Sequence, residues 1–383
     1  MPSRCGATSR VLSEGRSPSN AKAAAVNRIE FNRRIESIPV YPVASSYAFE
    51  GELVKLASNE TPYPPHPQVL EAVEAQLRTL NRYPDPEKSL LRRRIAERTG
   101  VPTGNVAVGN GSCEILLAAA DAMLEPGAEL VYAWPSFSMY PQLAAMSGAR
   151  GITVPLTEAG EHDLEAMAAQ VSAATRLVIV CNPNNPSATA LAPATIDAWV
   201  GELPRHVAVV LDEAYVEFSA LQDPDDSLDL LGRHPNLVLL RTFSKVYGLC
   251  GLRAGYALGP ESFRLAVDRV RQPFSVNALA QAAAAEALGY QDEVERRVEL
   301  NVIERVHVES ELERCGLETT DSQANFSWVS LGDRDEDEIV DGLAREGVIV
   351  RAGSALGERG RLRVTYGTRA ENERFLAALD GLL

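Results

Sequence analysis

Seven short apolar runs recur through the middle of the 383-residue chain, most of them followed by helical periodicity, and this alternation constrains the fold more than any other feature. The runs are 105–109, 129–132, 151–154, 176–181, 207–211, 237–241 and 255–258. An apolar run without polar alternation reads as a strand buried on both faces. Between the runs the spacing predicts helices, as over 113–124 and over 163–172, where Leu164, Met167, Ala168 and Val171 share a face. Upstream, Leu70, Val73, Leu77 and Leu80 mark another helical face, ended by N-R-Y-P-D-P. Buried strands alternating with helices predict an α/β fold: a mostly parallel sheet covered by helices on both sides.

That sheet domain is placed at 51–290. Helical pattern continues to Arg314, with Val294, Val298, Val302 and Val306 spaced by four. The rest of 291–383 reads as a smaller α+β domain: strands 325–330, 347–351 and 361–365, a helix over 336–346 and a last one from Ala370. Residues 35–50, with I-P-V-Y-P-V, form an arm contributing to the small domain and the site entrance. Residues 1–34, rich in Ser, Arg, Ala and Asn, read as a disordered extension or an upstream start, without the apolar centre of a signal peptide.

Composition closes several alternatives. A formal charge of -15 argues against nucleic acid or an anionic membrane as partner. The five cysteines are scattered and the five histidines lie far apart, so neither a disulfide framework nor a metal is expected, and a reducing cytoplasmic setting fits. No apolar run approaches the ~20 residues of a membrane span.

In a parallel sheet, ligands bind outside the carboxyl ends of the strands, so the residues after each run test for function. After 105–109 comes G-N-G-S-C-E (109–114), small residues opening a helix whose amides suit a phosphate. After 176–181 comes N-P-N-N-P, after 207–211 D-E-A-Y, and after 237–241 T-F-S-K-V-Y-G-L-C-G-L-R, with Lys245 and, eight residues on, Arg253. Taken singly, Ser112 reads as an N-cap, Asn184–Asn185 as a turn, Tyr215 as packing and Lys245 as a surface amine. Their joint occurrence at successive strand ends is what those readings leave unexplained. An amine nucleophile, an acid, an anion cradle and a fixed cation together are what pyridoxal phosphate requires: a lysine for its aldehyde, an acid for its pyridine nitrogen, a nest for its phosphate.

The motifs K-L-A-S-N-E-T, N-R-Y-P-D-P, G-N-G-S-C-E, W-P-S-F-S-M-Y, C-N-P-N-N-P, L-D-E-A-Y-V-E-F, R-T-F-S-K-V-Y-G-L-C-G-L-R-A-G-Y, S-Q-A-N-F and L-R-V-T-Y-G-T cover about residues 38–383. In that order they resemble the histidinol-phosphate aminotransferase family, pyridoxal-phosphate enzymes of fold type I that include aromatic amino acid aminotransferases. The resemblance implies a large domain with a seven-stranded, mostly parallel sheet and a smaller C-terminal domain. It implies that Lys245 bonds the cofactor aldehyde and shuttles the proton, and that Asp212 pairs with the pyridine nitrogen. Tyr215 and Asn185 would bond the ring O3′, and Phe137 would stack on the ring. Ser244, Arg253 and the amides of Ser112 and Cys113 would hold the cofactor phosphate. Tyr83 would reach the phosphate in the neighbouring subunit of a homodimer. Arg363 would grip the substrate carboxylate, with Asn185 beside it, and Tyr41 would contact substrate.

Two positions depart from the family pattern: N-N-P-S-A (184–188) where N-N-P-T-G is common, and Cys113 where an acid is usual. Neither removes a catalytic side chain; both leave the substrate open. The resemblance implies L-histidinol phosphate as amino donor and 2-oxoglutarate as acceptor, giving imidazole acetol phosphate and glutamate. The alternatives are phenylalanine or tyrosine transamination and a decarboxylase of the same fold. A phosphate-holding arginine beyond the substrate ring would mark the first, with Arg33, Arg34 and Arg351 as candidates. A transcription regulator on this fold would need an added helix-turn-helix domain, for which the ~50 residues before the sheet are too few and too proline-broken.

Overall fold

The computed structural model describes residues 29, 31–38 and 51–383. Tyr41 and most of the extension and arm lie outside the described residues. The strands are β1 (Val54–Lys55), β2 (Val106–Gly109), β3 (Glu129–Trp134), β4 (Arg150–Pro155), β5 (Thr175–Cys181), β6 (Ala208–Asp212), β7 (Leu237–Thr242), β8 (Gly255–Leu258), β9 (Glu318–Thr319), β10 (Phe326–Ser330), β11 (Val348–Ile349), β12 (Arg351–Ala352) and β13 (Arg361–Thr365). The α-helices are α1 (Pro67–Leu77), α2 (Ser89–Thr99), α3 (Ser112–Met123), α4 (Met139–Ser147), α5 (Leu164–Ala169), α6 (Pro193–Glu202), α7 (Leu228–Arg233), α8 (Glu261–Val270), α9 (Ala278–Ala287), α10 (Gln291–Arg314), α11 (Glu336–Arg345) and α12 (Arg369–Asp380).

The seven apolar runs form one seven-stranded sheet in the order β2-β8-β7-β6-β5-β3-β4. Its ladders are parallel except where β8 pairs antiparallel with β2 and β7. Successive side chains alternate faces: Val178 and Val180 join one core, while Leu177, Ile179 and Cys181 join the core on the other face. Beyond the exposed Arg176 at its start, every residue of β5 from Leu177 to Cys181 is buried, so no position there is left for a polar side chain to face water, which is why the run reads as apolar.

A second sheet, β12-β13-β10-β9, packs with α11 and α12 around its own core of Val329, Leu343, Leu362, Val364 and Phe375. Helix α12 starts with a capping box between Thr368 and Glu371, one residue before its expected start.

Four expectations are corrected. Val54–Lys55 pairs with Val348–Ile349, and Val54 and Leu56 enter the C-terminal core, so the start of the segment placed in the 51–290 domain packs with the smaller body. The strand expected over 347–351 divides at Val350: β11 serves β1, whereas β12 serves β13. On α1, Val73 packs on the core as expected, but Leu70 and Leu77 are exposed and Leu80 lies past the helix end; Val69 is the buried residue beside Val73. On α10 the fourfold valine spacing drifts around a 3.6-residue turn, leaving Val306 exposed; the buried stripe runs through Arg297, Asn301, Glu304, Val308 and Leu312.

Candidate active site

The carboxyl ends of β5, β6 and β7 lie side by side, with Cys181 opposite Asp212 and Asp212 opposite Leu240. Outside them opens a cavity of about 510 Å³ whose lining includes Ser112, Cys113, Phe137, Asn185, Asp212, Tyr215, Ser244, Lys245 and Arg253. Nine residues expected from scattered motifs thus share one chamber. A second cavity, about 430 Å³, lies at the opposite edge of the sheet against Asn105, His234 and Leu237, and contains none of them.

Lys245 follows β7, and its Nζ donates to the Ser58 carbonyl at 3.0 Å, 5.5 Å from the centre of the Tyr215 ring. Burial, and then the Arg363 guanidinium, bring its ammonium down to about 8, so a substantial neutral fraction exists near physiological pH. The Tyr215 hydroxyl accepts from Asn59 Nδ2 at 3.0 Å.

Asp212 ends β6. Its Oδ2 accepts the phenolic hydrogen of Tyr140 at 2.9 Å, while its buried Oδ1 has no hydrogen-bond partner among the described residues. Burial raises this carboxyl to about 6, against the lowering effect of the Tyr140 hydrogen bond. A buried acceptor atom without a donor fits a protonated ring nitrogen.

At the far side of the cavity, α3 begins after the Gly111 turn, and Ser112 and Cys113 contribute first-turn amides that have no partner within the helix. A Cβ on Gly255 would fall 2.4 Å from the Ser112 nitrogen, and one on Gly111 would fall 2.7 Å from Arg253 Nη2. The two glycines therefore let β8 and the Arg253 guanidinium close on the same turn. Arg253 itself is left-handed, φ 62°, a conformation uncommon outside glycine. Amides, Ser244 and a guanidinium around one turn fit a phosphate.

Arg363 comes from the smaller sheet, buried on β13. Its Nη1 donates to Asn185 Oδ1 at 2.6 Å and its Nη2 to the Ala57 carbonyl at 2.6 Å, and the guanidinium lies over Phe326. With the Asn185 oxygen engaged, its amide nitrogen is the group left to donate. Arg351 stands opposite Arg363 in the β12–β13 register, whereas Arg34 packs against Gly148 at the C-terminal end of α4. Tyr83 is 82% exposed, stacked on Phe274, and does not line the cavity.

Sequence reasoning missed Ser58, Asn59 and Tyr140. The first two lie in the quoted K-L-A-S-N-E-T, and Tyr140 stands three residues after Phe137, whose carbonyl, just ahead of α4, accepts the Tyr140 amide at 3.0 Å.

Residues 51–379 match the family described as aminotransferase class I and II, and the chain belongs to that family. It is a pyridoxal-phosphate-dependent aminotransferase of fold type I, acting on an amino donor and a 2-oxo acid. It is 42% identical to an aromatic amino acid aminotransferase of Streptomyces avermitilis over 349 residues, 90% of this chain and 95% of the relative. It is 44% identical to histidinol-phosphate aminotransferase 2 of Pseudomonas aeruginosa over 331 residues, 86% of this chain and 89% of the relative. Its structure resembles that of histidinol-phosphate aminotransferase from Sinorhizobium meliloti in complex with pyridoxal-5'-phosphate, with TM-score 0.82 and 28% identity, covering 93% of this chain and 98% of that one. No described helix is long and apolar enough to cross a membrane.

Proposed function

We propose that the chain transfers the amino group of L-histidinol phosphate to 2-oxoglutarate, with Lys245 moving the proton at the donor's Cα. Bound pyridoxal phosphate supplies the aldehyde that captures the donor amine and the ring that delocalises the electron pair left at Cα. Lys245 Nζ can act as base because burial and Arg363 favour its neutral form. Asp212 Oδ1 accepts from the ring nitrogen, and Asn185 Nδ2 and the Tyr215 hydroxyl donate to the ring oxygen. Phe137 stacks on the ring. Ser244, Arg253 and the Ser112 and Cys113 amides hold the cofactor phosphate.

Arg363 receives the donor's anionic end. In histidinol phosphate the phosphate hangs from the carbon that is the carboxyl carbon of an amino acid, so the discriminating cation belongs beside Arg363 and not beyond the ring. The observation that carries the choice of donor is the Arg351–Arg363 register: directly opposed residues on antiparallel strands share a face, with Cβ atoms about 5 Å apart. Two guanidiniums on one face suit a phosphate dianion better than a single carboxylate.

A second reading, transamination of phenylalanine or tyrosine, is supported by the relative from Streptomyces avermitilis. Steady-state kcat/KM for histidinol phosphate, phenylalanine and tyrosine separates the two. The first reading expects histidinol phosphate to lead, and Arg351→Gln to depress its kcat/KM more than phenylalanine's. Equal losses for both donors would favour the second reading.

The proposal includes a homodimer in which exposed Tyr83 serves the neighbouring subunit's cofactor, and two domains meeting at the cavity. A cytoplasmic setting is supported by Cys113, Cys181, Cys250 and Cys315, which are free thiols.

A further inference from the structure

We propose that Tyr140 is a positioning residue for the cofactor: its phenol holds the Asp212 carboxylate so that Oδ1 faces the ring nitrogen as an acceptor. This rests on reading Asp212 as the partner of that nitrogen. Tyr140 is fully buried on α4, and its hydroxyl donates to Oδ2 at 2.9 Å, while Oδ1 has no hydrogen-bond partner among the described residues. A carboxylate with one oxygen fixed by a rigid phenol has its other oxygen fixed too. The Tyr140 ring also stands edge-on to Phe137, centroids 5.7 Å apart. One segment, W-P-S-F-S-M-Y, therefore sets both the surface on which the cofactor ring lies and the orientation of its nitrogen's partner.

The bland alternative is that Tyr140 only fills the core beneath α4, with Asp212 a convenient acceptor. The two differ in what removing the hydroxyl does. Tyr140→Phe leaves Asp212 one donor short in a buried setting, which favours the protonated acid, and a protonated acid cannot hold a protonated ring nitrogen. The loss then passes entirely through Asp212. A packing role would weaken the protein whatever stands at position 212.

The dissociation constant of pyridoxal phosphate, measured by titrating cofactor-free protein, distinguishes them in wild type, Tyr140→Phe, Asp212→Asn and the double variant. The expected result is a rise of about tenfold for Tyr140→Phe in the wild-type background and less than about twofold in the Asp212→Asn background. Tyr140→His, which keeps a donor, should recover part of the affinity. The same rise in both backgrounds, or no rise in wild type, would overturn the role of Tyr140 while leaving Asp212 in place. Unchanged affinity in Asp212→Asn would overturn the assignment of Asp212 and the inference with it. Thermal denaturation of each cofactor-free protein reports whether it is folded.

Discussion

Arg363 Nη1 donates to Asn185 Oδ1 at 2.6 Å, joining a strand of the C-terminal sheet to the loop after β5, 178 residues earlier. The pair ties β13 to the loop that carries the cavity-lining Asn185, so strand and loop are aligned beside the cavity. Replacing Arg363 with Lys keeps the charge but loses the planar fork. Loss of one charge-assisted hydrogen bond is worth roughly 10–100-fold, and kcat/KM should fall by at least that much, chiefly through KM. Steady-state kinetics with two amino donors will show it; an unchanged KM would place the anion elsewhere.

Lys245→Ala should abolish turnover, since positioned acid–base catalysis alone contributes roughly 10²–10⁴-fold. Wild-type protein with cofactor should show a visible absorption band that bleaches on adding glutamate. The variant should lack both the band and the bleaching, and a comparable rate without Lys245 would end the assignment.

The Lys245 amine also predicts a pH profile. Its ammonium is lowered from 10.5 to about 8 by burial and by Arg363, and only the neutral amine attacks an aldehyde. Capture of pyridoxal phosphate by the cofactor-free protein should therefore accelerate as pH rises through about 8 and level off above it. Stopped-flow absorbance from pH 6.5 to roughly 9.5 reads this midpoint; a midpoint near 10 would mean that the amine is solvated.

Gly255→Ala tests the phosphate cradle. The added methyl would meet the Gly111–Ser112 peptide bond, 2.4 Å from the Ser112 nitrogen and 2.8 Å from the Gly111 carbonyl carbon, and backbone cannot swing aside as a side chain can. Cofactor affinity should fall about tenfold or more as the turn is displaced. Equilibrium dialysis would measure it, and wild-type affinity would show that the phosphate is held elsewhere.

His162 predicts an acid-side loss of stability. Burial depresses its imidazole from 6.5 to about 4, so the folded protein keeps it neutral while the unfolded chain takes up a proton below about 6.5. Its contribution is complete above that pH, declines as pH falls and is gone once pH passes through about 4; the whole amounts to about 3 kcal/mol. Denaturant midpoints of wild type and His162→Leu should converge across this interval. Parallel pH slopes would assign the acid sensitivity to other groups.

Much of the fold was legible because burial on both faces writes itself into a strand as an unbroken apolar run, and β2 to β8 lie within a residue or two of the expected spans. The order of strand ends brought Ser112, Asn185, Asp212 and Lys245 together without any contact being known, since a parallel sheet delivers its carboxyl ends to one edge. Amphipathic helices were less readable: α1 and α10 bury stripes that spacing alone misplaced, because what a helix covers depends on its neighbours.

By itself, then, the sequence determined which residues stand at the ends of which strands, a local property of pattern and turn chemistry. Only the tertiary structure decided that Val54 would pair with Val348, that Arg363 would reach Asn185, and that Tyr140 would donate to Asp212. Those choices depend on contacts between segments up to about three hundred residues apart, and no local periodicity records them.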